Sequence, residues 1–184
     1  MKSTKLLIAD HEIIAQALRV LEVMSRDIER GFEVNAADIR DLLTFLREFA
    51  DGCHHVKEEA IFFPALIQAG LPAQQGPLRV MNDEHERGRA LIAAMRTGLN
   101  TGHSEDFVDY SRQYIALLSE HIQKENRVLF DMAEQILNDD EDDAVVDAFE
   151  HFERNGVGSA LRKAWQESVE TLAAKYVAAT SVGS

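Results

Sequence analysis

The sequence is poor in cysteine, proline and glycine. Its 184 residues include one cysteine, three prolines and ten glycines. The single cysteine, Cys53, excludes a disulfide within the chain and fits a reducing compartment, so we expect a cytoplasmic protein. The few prolines and glycines, together with 46% hydrophobic residues, exclude a fibrous or disordered chain.

Long apolar runs and positive charge are also scarce. No run approaches the roughly 18 apolar residues that a membrane-spanning helix needs, and the apolar run near the N-terminus is too short for a signal peptide. Nineteen Lys and Arg stand against 32 Asp and Glu, which gives a net charge of −13. Nucleic acid and anionic membranes would repel such a chain, so neither is expected as a partner.

Helical periodicity runs throughout the sequence. Apolar residues recur every three or four positions and no alternation is long enough to build a sheet, so the predicted fold class is all-α. Four long helices with short connections predict an up-down-up-down four-helix bundle over residues 1–138. Two additional C-terminal helices, at roughly 142–155 and 159–178, predict a helical extension over residues 139–184 that packs on the same domain.

Local signals predict where several helices begin and end. Ser3 is the expected N-cap of the first helix, Asn35 that of the second, and Pro77 is the expected first residue of the third. The acidic run at 138–143 is interpreted as a solvated turn that ends the fourth helix.

Two copies of one histidine-glutamate motif carry the main functional signal. His54 stands four residues before Glu58, and 67 positions later His121 stands four residues before Glu125. Residues four apart lie on one face of a helix, so each pair projects an imidazole beside a carboxylate. Both copies share a lysine and continue into a similar apolar run, which argues against chance recurrence.

Lone histidines on the other two helices complete the pattern. His11 on the first helix and His85 on the third lie in apolar stripes and have similar neighbours. In a four-helix bundle with short connections, all four stripes meet at one level of the core. The candidate metal ligands are therefore His11, His54, Glu58, His85, His121 and Glu125.

Burial of this set requires a partner for its charges. A lone core histidine is ordinarily a hydrogen-bonded structural residue, but four imidazoles and two carboxylates together favour a metal centre. Ligands without thiolate suit iron or manganese, and six ligands are too many for one tetrahedral zinc. Two octahedral irons need about twelve positions. The histidines, the bridging glutamates Glu58 and Glu125 and an oxo or hydroxo bridge fill all but two, so the predicted cofactor is a pair of iron ions.

These residues resemble those of the hemerythrin-like family of HHE cation-binding domains. The resemblance covers about residues 4–135 and rests on His11, His85, the two histidine-glutamate pairs and Phe63-Pro64. Stretches such as residues 53–59 and 84–86 are similar to bacterial single-domain members with a four-His, two-Glu ligand set. The resemblance implies a non-haem di-iron centre that binds or reacts with oxygen, nitric oxide or peroxide.

The chain departs from the oxygen-carrying members of that family at two positions. They place a further histidine four residues after the one on the third helix, where this chain has Arg89. They also carry an aspartate five residues after the histidine of the fourth helix, where this chain has Asn126 and supplies Glu125 as the carboxylate. The ligand set instead resembles that of proteins that repair iron centres. The chain shows no counterpart of their small cysteine-bearing N-terminal domain, so the repair role is not carried over.

Three neighbouring residues are alternatives for the coordination sphere. His55 and Glu59 form a second pair with the same spacing, rotated about 100° from the first, and the repeat favours the first pair. Tyr114 lies two turns before the histidine of the fourth helix and is a core aromatic, a hydrogen-bond donor to a bound ligand or a further iron ligand. Each iron keeps one exchangeable position unless Tyr114, His55 or a water fills it.

The residues leave the reaction open. One interpretation is a di-iron oxidoreductase that turns over nitric oxide, peroxide or oxygen. The alternative is a reversible oxygen-binding or sensing module, or an iron-handling module, without catalytic turnover. A metal-free bundle used for protein interaction is the remaining interpretation. The expected partner is a diatomic molecule or peroxide, and a homo-oligomer stays open.

Overall fold

The computed structural model describes residues 1–180, and every regular element in that range is a helix. Six helices follow one another along the described chain: α1 (Lys2–Glu29), α2 (residues 36–68), α3 (Pro77–Thr101), α4 (residues 104–136), α5 (residues 139–157) and α6 (Ser159–Thr180). None of the described helices is long and apolar enough to cross a membrane. The predicted all-α class is confirmed.

Helices α2 and α4 change from α-helical to π-helical winding near the predicted metal ligands. The π-helical segments are Leu46–His55 and Glu58–Phe62 in α2 and Glu125–Leu129 in α4, and α5 ends in another at Glu153–Val157. The α-helical segments of these helices are Ala36–Phe45, Phe63–Gln68, Ser104–Lys124, Phe130–Ile136 and Asp139–Phe152. A π-helix bonds each N–H to the carbonyl five residues back, which widens the turn, and such segments are frequent at functional sites.

The predicted helix starts are confirmed for α2 and α3 and are wrong for α1. Asn35 accepts a hydrogen bond from the backbone N–H of Ala37 at 2.8 Å, and Pro77 is the first residue of α3. Helix α1 begins at Lys2, so Ser3 lies buried within the first turn instead of capping it.

The acidic run at 138–143 is the start of α5, and its interpretation as a solvated turn is wrong. Asn138 accepts a hydrogen bond from the N–H of Glu141 (3.0 Å), and the Glu141 carboxylate accepts one from the N–H of Asn138 (2.9 Å). Asp142 is buried and accepts hydrogen bonds from the backbone N–H groups of Lys2 (2.7 Å) and Ser3 (3.1 Å). A carboxylate from α5 thus caps α1 across the structure.

Helices α1 to α4 surround a common core, in which each helix contacts the next and α4 contacts α1. The core contains two apolar clusters with a polar layer between them. On α1, Ile14 belongs to the first cluster, Leu7 belongs to the second, and the buried His11 lies between these two positions.

The two C-terminal helices pack on different parts of this core. Helix α6 contributes Val169 and Leu172 to the first apolar cluster. Helix α5 contributes Val145 and Phe149 to the second. Each cluster is therefore completed by a helix that follows the four-helix core in the chain.

Candidate metal centre

The structure brings all six predicted ligands together in one buried layer. The six are His11 (α1), His54 and Glu58 (α2), His85 (α3), and His121 and Glu125 (α4), and none is more than 2% exposed. The ligand atoms of His11, His54, Glu58 and Glu125 lie within 4.8 Å of one another, and we call this group subsite A. Those of His55, Glu58, His85 and His121 form an equally close group, subsite B. The two subsites share the carboxylate of Glu58.

Short contacts link the imidazole Nε2 atoms to the two carboxylates. The distances are 3.2 Å from His11 and from His121 to Glu125 Oε2, 3.4 Å from His54 to Glu58 Oε1, and 3.5 Å from His85 to Glu58 Oε2. Each glutamate therefore faces imidazoles from two helices, which suits a carboxylate that bridges two ions.

The Nε2 atoms of His85 and His121 lie 3.1 Å apart. Two nitrogen ligands at right angles, each about 2.1 Å from one ion, are separated by about 3 Å. This pair is therefore spaced as two adjacent ligands of a single ion.

The outward Nδ1 atom of each imidazole has an acceptor close to it. The acceptors are Asn126 for His11 (2.8 Å), Asp10 for His54 (3.4 Å), Asp51 for His55 (3.4 Å), Glu59 for His85 (2.6 Å) and Glu84 for His121 (3.0 Å). An acceptor at Nδ1 favours the tautomer with its proton there, which leaves the Nε2 lone pair for a metal. All five rings are thus oriented as metal ligands are.

Asp10 and Lys57 support His54 from the side away from the carboxylates. Lys57, the lysine of the first motif, donates a hydrogen bond of 2.5 Å to Asp10 Oδ2, the oxygen that faces His54. Burial alone would raise the pKa of Asp10, but His54, Lys57 and Arg162 outweigh it and hold that pKa well below its usual range. Asp10 is therefore a carboxylate, fixed beside the ring.

Glu84 and Lys124 repeat this arrangement at His121. Lys124, the lysine of the second motif, binds Glu84, whose other oxygen accepts from His121 Nδ1. Burial lowers the pKa of His121, but Glu125 and Glu84 outweigh it and raise the pKa to about 9. In both hairpins, the acid that precedes the lone histidine supports the histidine of the following helix.

Glu58 and Glu125 have strongly unequal proton affinities. Burial, followed by the neighbouring charge of Glu125, raises the pKa of Glu58 well above its usual range. Burial also acts on Glu125, but His121 and His11 outweigh it and lower that pKa well below its usual range. Both carboxylates are buried without a well-formed hydrogen bond among the described residues. These shifts favour a protonated Glu58 and a protonated His121 in the metal-free layer. A bound cation would displace both protons, and nitrogen and oxygen donors without sulfur fit iron or manganese.

The three alternative residues named from the sequence lie in different parts of the structure. His55 enters subsite B, whereas Glu59 lies outside both subsites and holds His85 through Nδ1. Tyr114 belongs to the first apolar cluster, and its hydroxyl makes no hydrogen bond to the described residues. Burial raises the pKa of Tyr114 well above its usual range, so it remains a phenol.

The residues that hold the rings were not predicted from the sequence. Asp10, Asn126 and Glu84 were not identified as partners of histidines, although each lies beside a ligand in the chain. The lysine shared by the two motifs was the available signal, because each lysine binds one of these carboxylates.

A helical bundle with a buried layer of converging histidines and glutamates defines a metal-binding bundle. The family model of the hemerythrin HHE cation binding domain matches residues 2–133, most of the chain. The chain belongs to this family of cation-binding domains.

The chain is similar to curated proteins described as iron-sulfur cluster repair proteins. The chain is similar to the iron-sulfur cluster repair protein YtfE of Escherichia coli O1:K1 / APEC, with 35% identity over 133 residues that cover 66% of this chain and 56% of that protein. The protein of that name from Musicola paradisiaca (strain Ech703) is 31% identical over 134 residues, which cover 67% of this chain and 60% of the relative. The chain thus spans less than two thirds of the length of these relatives. No solved structure matches the chain.

Proposed function

We propose that this chain is a non-haem di-iron protein that binds or reacts with oxygen, nitric oxide or peroxide in the core of the bundle. His11 and His54 would hold one ion, and His85 and His121 the other, with Glu58 and Glu125 as bridging carboxylates. The observation that supports this most is the convergence of buried Nε2 atoms on two carboxylates while each Nδ1 has its own acceptor. Membership of a cation-binding family supports it independently.

The surroundings of the site favour a small ligand. Bound iron would supply one-electron redox chemistry and an attachment point for a diatomic molecule or peroxide. The protein supplies the rest: two apolar clusters exclude water on either side, and the residues on Nδ1 hold each ring in place. A diatomic molecule or peroxide is small enough to suit a polar layer enclosed between two apolar clusters.

We propose that α1 to α4 alternate in direction as an up-down-up-down bundle over residues 1–138, which their short connections favour. Residues 139–184 would form an extension of the same domain, of which 181–184 lie outside the described residues. The single buried cysteine and the acidic charge favour a cytoplasmic protein without nucleic-acid or membrane partners.

A second candidate function is iron handling without catalytic turnover. The relatives that match 66–67% of this chain are described as iron-sulfur cluster repair proteins. A bundle that releases iron to an acceptor would need the same ligands but would not turn over a small molecule. Reversible oxygen binding or sensing belongs to the same non-catalytic alternative.

Metal content tests the site itself. Protein loaded with ferrous iron should hold about two irons per chain and show a bridged diferric absorption after oxidation. Glu58→Ala and Glu125→Ala should each lose iron and that absorption, because a bridge is removed, whereas Glu120→Ala at an exposed position of α4 should not. Stoichiometric zinc that iron cannot replace, or full iron and an unchanged spectrum in both bridge variants, would refute the proposal.

Rapid mixing then separates the two functions. The reduced protein is mixed with oxygen, with nitric oxide or with peroxide, and in parallel with a ferrous chelator and with an apo iron-sulfur protein. Turnover of many equivalents of one small molecule, with a chemical reductant supplied in excess as the electron source, supports the oxidoreductase. Transfer of iron to the apo protein faster than to the chelator, without turnover, supports iron handling.

A further inference from the structure

His55 has the features of a metal ligand, although the six-residue set does not use it. The residue is 3% exposed, and its Nε2 atom is buried without a hydrogen-bond partner among the described residues. Its Nδ1 atom lies 3.4 Å from Asp51 Oδ1. The ring is therefore oriented like those of the other four histidines, with the Nε2 lone pair available.

Arg89 supports this orientation from α3. Its Nε donates to Asp51 Oδ1 at 2.7 Å, and its Nη2 donates to Glu59 Oε1 at 2.7 Å. Asp51 holds His55, and Glu59 holds His85. Position 89 carries no imidazole, but its guanidinium fixes the two carboxylates that orient two of the imidazoles.

The two adjacent histidines of α2 lie in different subsites. Both lie at the end of the π-helical segment Leu46–His55. His54 belongs to subsite A, while His55 stacks on His85 of subsite B, with ring centroids 3.9 Å apart and an interplanar angle of 14°. The ligand atoms of His55, Glu58, His85 and His121 all lie within 4.8 Å of one another.

We propose that His55 is a fifth imidazole ligand, bound through Nε2 to the ion in subsite B. This inference rests on the proposed di-iron function. Subsite B then has three imidazoles and subsite A has two. The position that a small molecule can occupy therefore belongs to subsite A.

The test compares wild type with His55→Gly, and with His103→Gly, an exposed loop histidine, as the matched control. Iron stoichiometry, Mössbauer spectra and azide titration of the oxidised protein are the readouts. Wild type should show two different iron environments and bind one azide. His55→Gly should bind one iron at least about tenfold more weakly or take up a second azide, and added imidazole should restore the wild-type pattern. His55→Gln, which fills the space, should show the same defect without rescue by imidazole.

Two outcomes would overturn the inference. If wild type holds two irons and His55→Gly matches it in all three readouts, His55 is not a ligand and the proposed function stands. If wild type holds no iron, both the proposed function and this inference fail.

A separate cluster beside His54 carries a second inference. Asp10 Oδ2 faces His54 Nδ1 at 3.4 Å and accepts from Lys57 at 2.5 Å, while Arg162 of α6 binds Asp10 Oδ1. Glu153 Oε1 accepts from both cations, at 2.9 Å from Lys57 and 3.2 Å from Arg162. Arg162 lies beyond residues 2–133, which the family model matches.

We infer that Arg162 tunes the ion of subsite A through Asp10, again resting on the proposed function. A carboxylate at Nδ1 makes an imidazole a stronger donor and so stabilises ferric iron. A guanidinium on that carboxylate withdraws part of its negative charge from the ring. Asp10 is thus a positioning residue for His54, and α6 sets the strength of its effect.

Midpoint potentials test this inference, since the two substitutions should shift them in opposite directions. Asp10→Asn should raise the potential of one iron, and Arg162→Gln should lower it. Arg162→Lys should stay near wild type, and so should Lys163→Gln, which removes an exposed charge from the same helix. In the Asp10→Asn background, Arg162→Gln should have a smaller effect than in wild type. Shifts of the same sign, or none in a protein that holds two irons, would overturn it.

Discussion

The acceptor on each Nδ1 atom decides whether a buried histidine can serve as a metal ligand. In this core the acceptors are carboxylates or an amide from four different helices. They hold each ring in place before any ion arrives, which lowers the cost of assembling the proposed site. The residues on Nδ1 should therefore matter almost as much for metal affinity as the ligands themselves.

Glu84→Ala tests that expectation at His121. The change removes the acceptor on Nδ1 and the partner of Lys124, and leaves all ligands in place. We expect iron affinity to fall roughly 10- to 100-fold, measured by competition with a chelator of known affinity. Asp83→Ala, at an exposed position next to Glu84 in the chain, is the control. Equal affinities for the two variants would contradict the role of Glu84.

Cys53 should be chemically inert in the folded protein even though it precedes His54. Its side chain is fully buried, and burial raises the pKa of the thiol to about 11. Because this pKa lies about two units above that of an ordinary thiol, about 100-fold less of the reactive thiolate is present at neutral pH. A thiol reagent should label Cys53 slowly in the native protein and completely in denaturant. Rapid labelling of the native protein would show that the thiol is accessible.

Residue spacing was enough to predict that the six candidate ligands converge, because the i, i+4 pairs repeat and each lies on an apolar face. The repeat favoured His54 over His55, because only His54 has a counterpart in the second motif. The π-helical segment Leu46–His55 was not predicted, because a pattern of apolar residues does not distinguish α-helical from π-helical winding. The acceptors on Nδ1 were missed because most come from other helices, where spacing within one helix carries no information.

At the scale of elements, α1 depends on α5 for its N-terminal cap. The first N–H groups of a helix lack partners within it, and the residue before α1 supplies no side-chain cap. Asp142 fills that role from 140 residues away, through its bond to the N–H of Lys2. Serine and aspartate are both common residues at helix N-termini. Only the tertiary structure shows that Asp142, and not Ser3, caps α1.

Asp142→Ala should lower the free energy of unfolding by about 1 kcal/mol, the usual cost of losing a helix cap. Burial raises the pKa of Asp142, but hydrogen bonds from Ser3 and Lys2 outweigh it and lower the pKa below its ordinary value. The cap therefore contributes above the pKa of the unfolded aspartate, about 3.9, and is lost as the pH falls through the folded value. Urea unfolding should show the full difference in free energy of unfolding between wild type and Asp142→Ala at pH 7. That difference should shrink below about pH 4. Asp140→Ala, at an exposed position, is the control, and a difference that persists in acid would contradict the carboxylate cap.

At the scale of the whole molecule, the polar layer lies between two apolar clusters that α5 and α6 complete. Periodicity predicted the all-helical class and two additional helices, because both follow from apolar spacing within the chain. It could not predict which cluster each helix covers, or that Arg162 reaches Asp10, since those contacts join distant parts of the sequence.

Removal of the metal should destabilise the molecule without unfolding it. The two apolar clusters do not depend on an ion, so the apo protein should keep its helical circular dichroism. Iron at the proposed site would bind the folded protein and largely not the unfolded chain, so free iron at about 1,000 times its dissociation constant should add about 4 kcal/mol. For a domain of this size that corresponds to roughly 10 °C in the midpoint of thermal unfolding. Calorimetry of the iron-loaded and verified metal-free protein measures the difference, and Glu58→Ala, which lacks one of the proposed bridging carboxylates, should show almost none. An equal midpoint for loaded and metal-free wild type would mean that the ion binds elsewhere. An ion held by buried side chains from four helices cannot leave without changing the stability of the bundle.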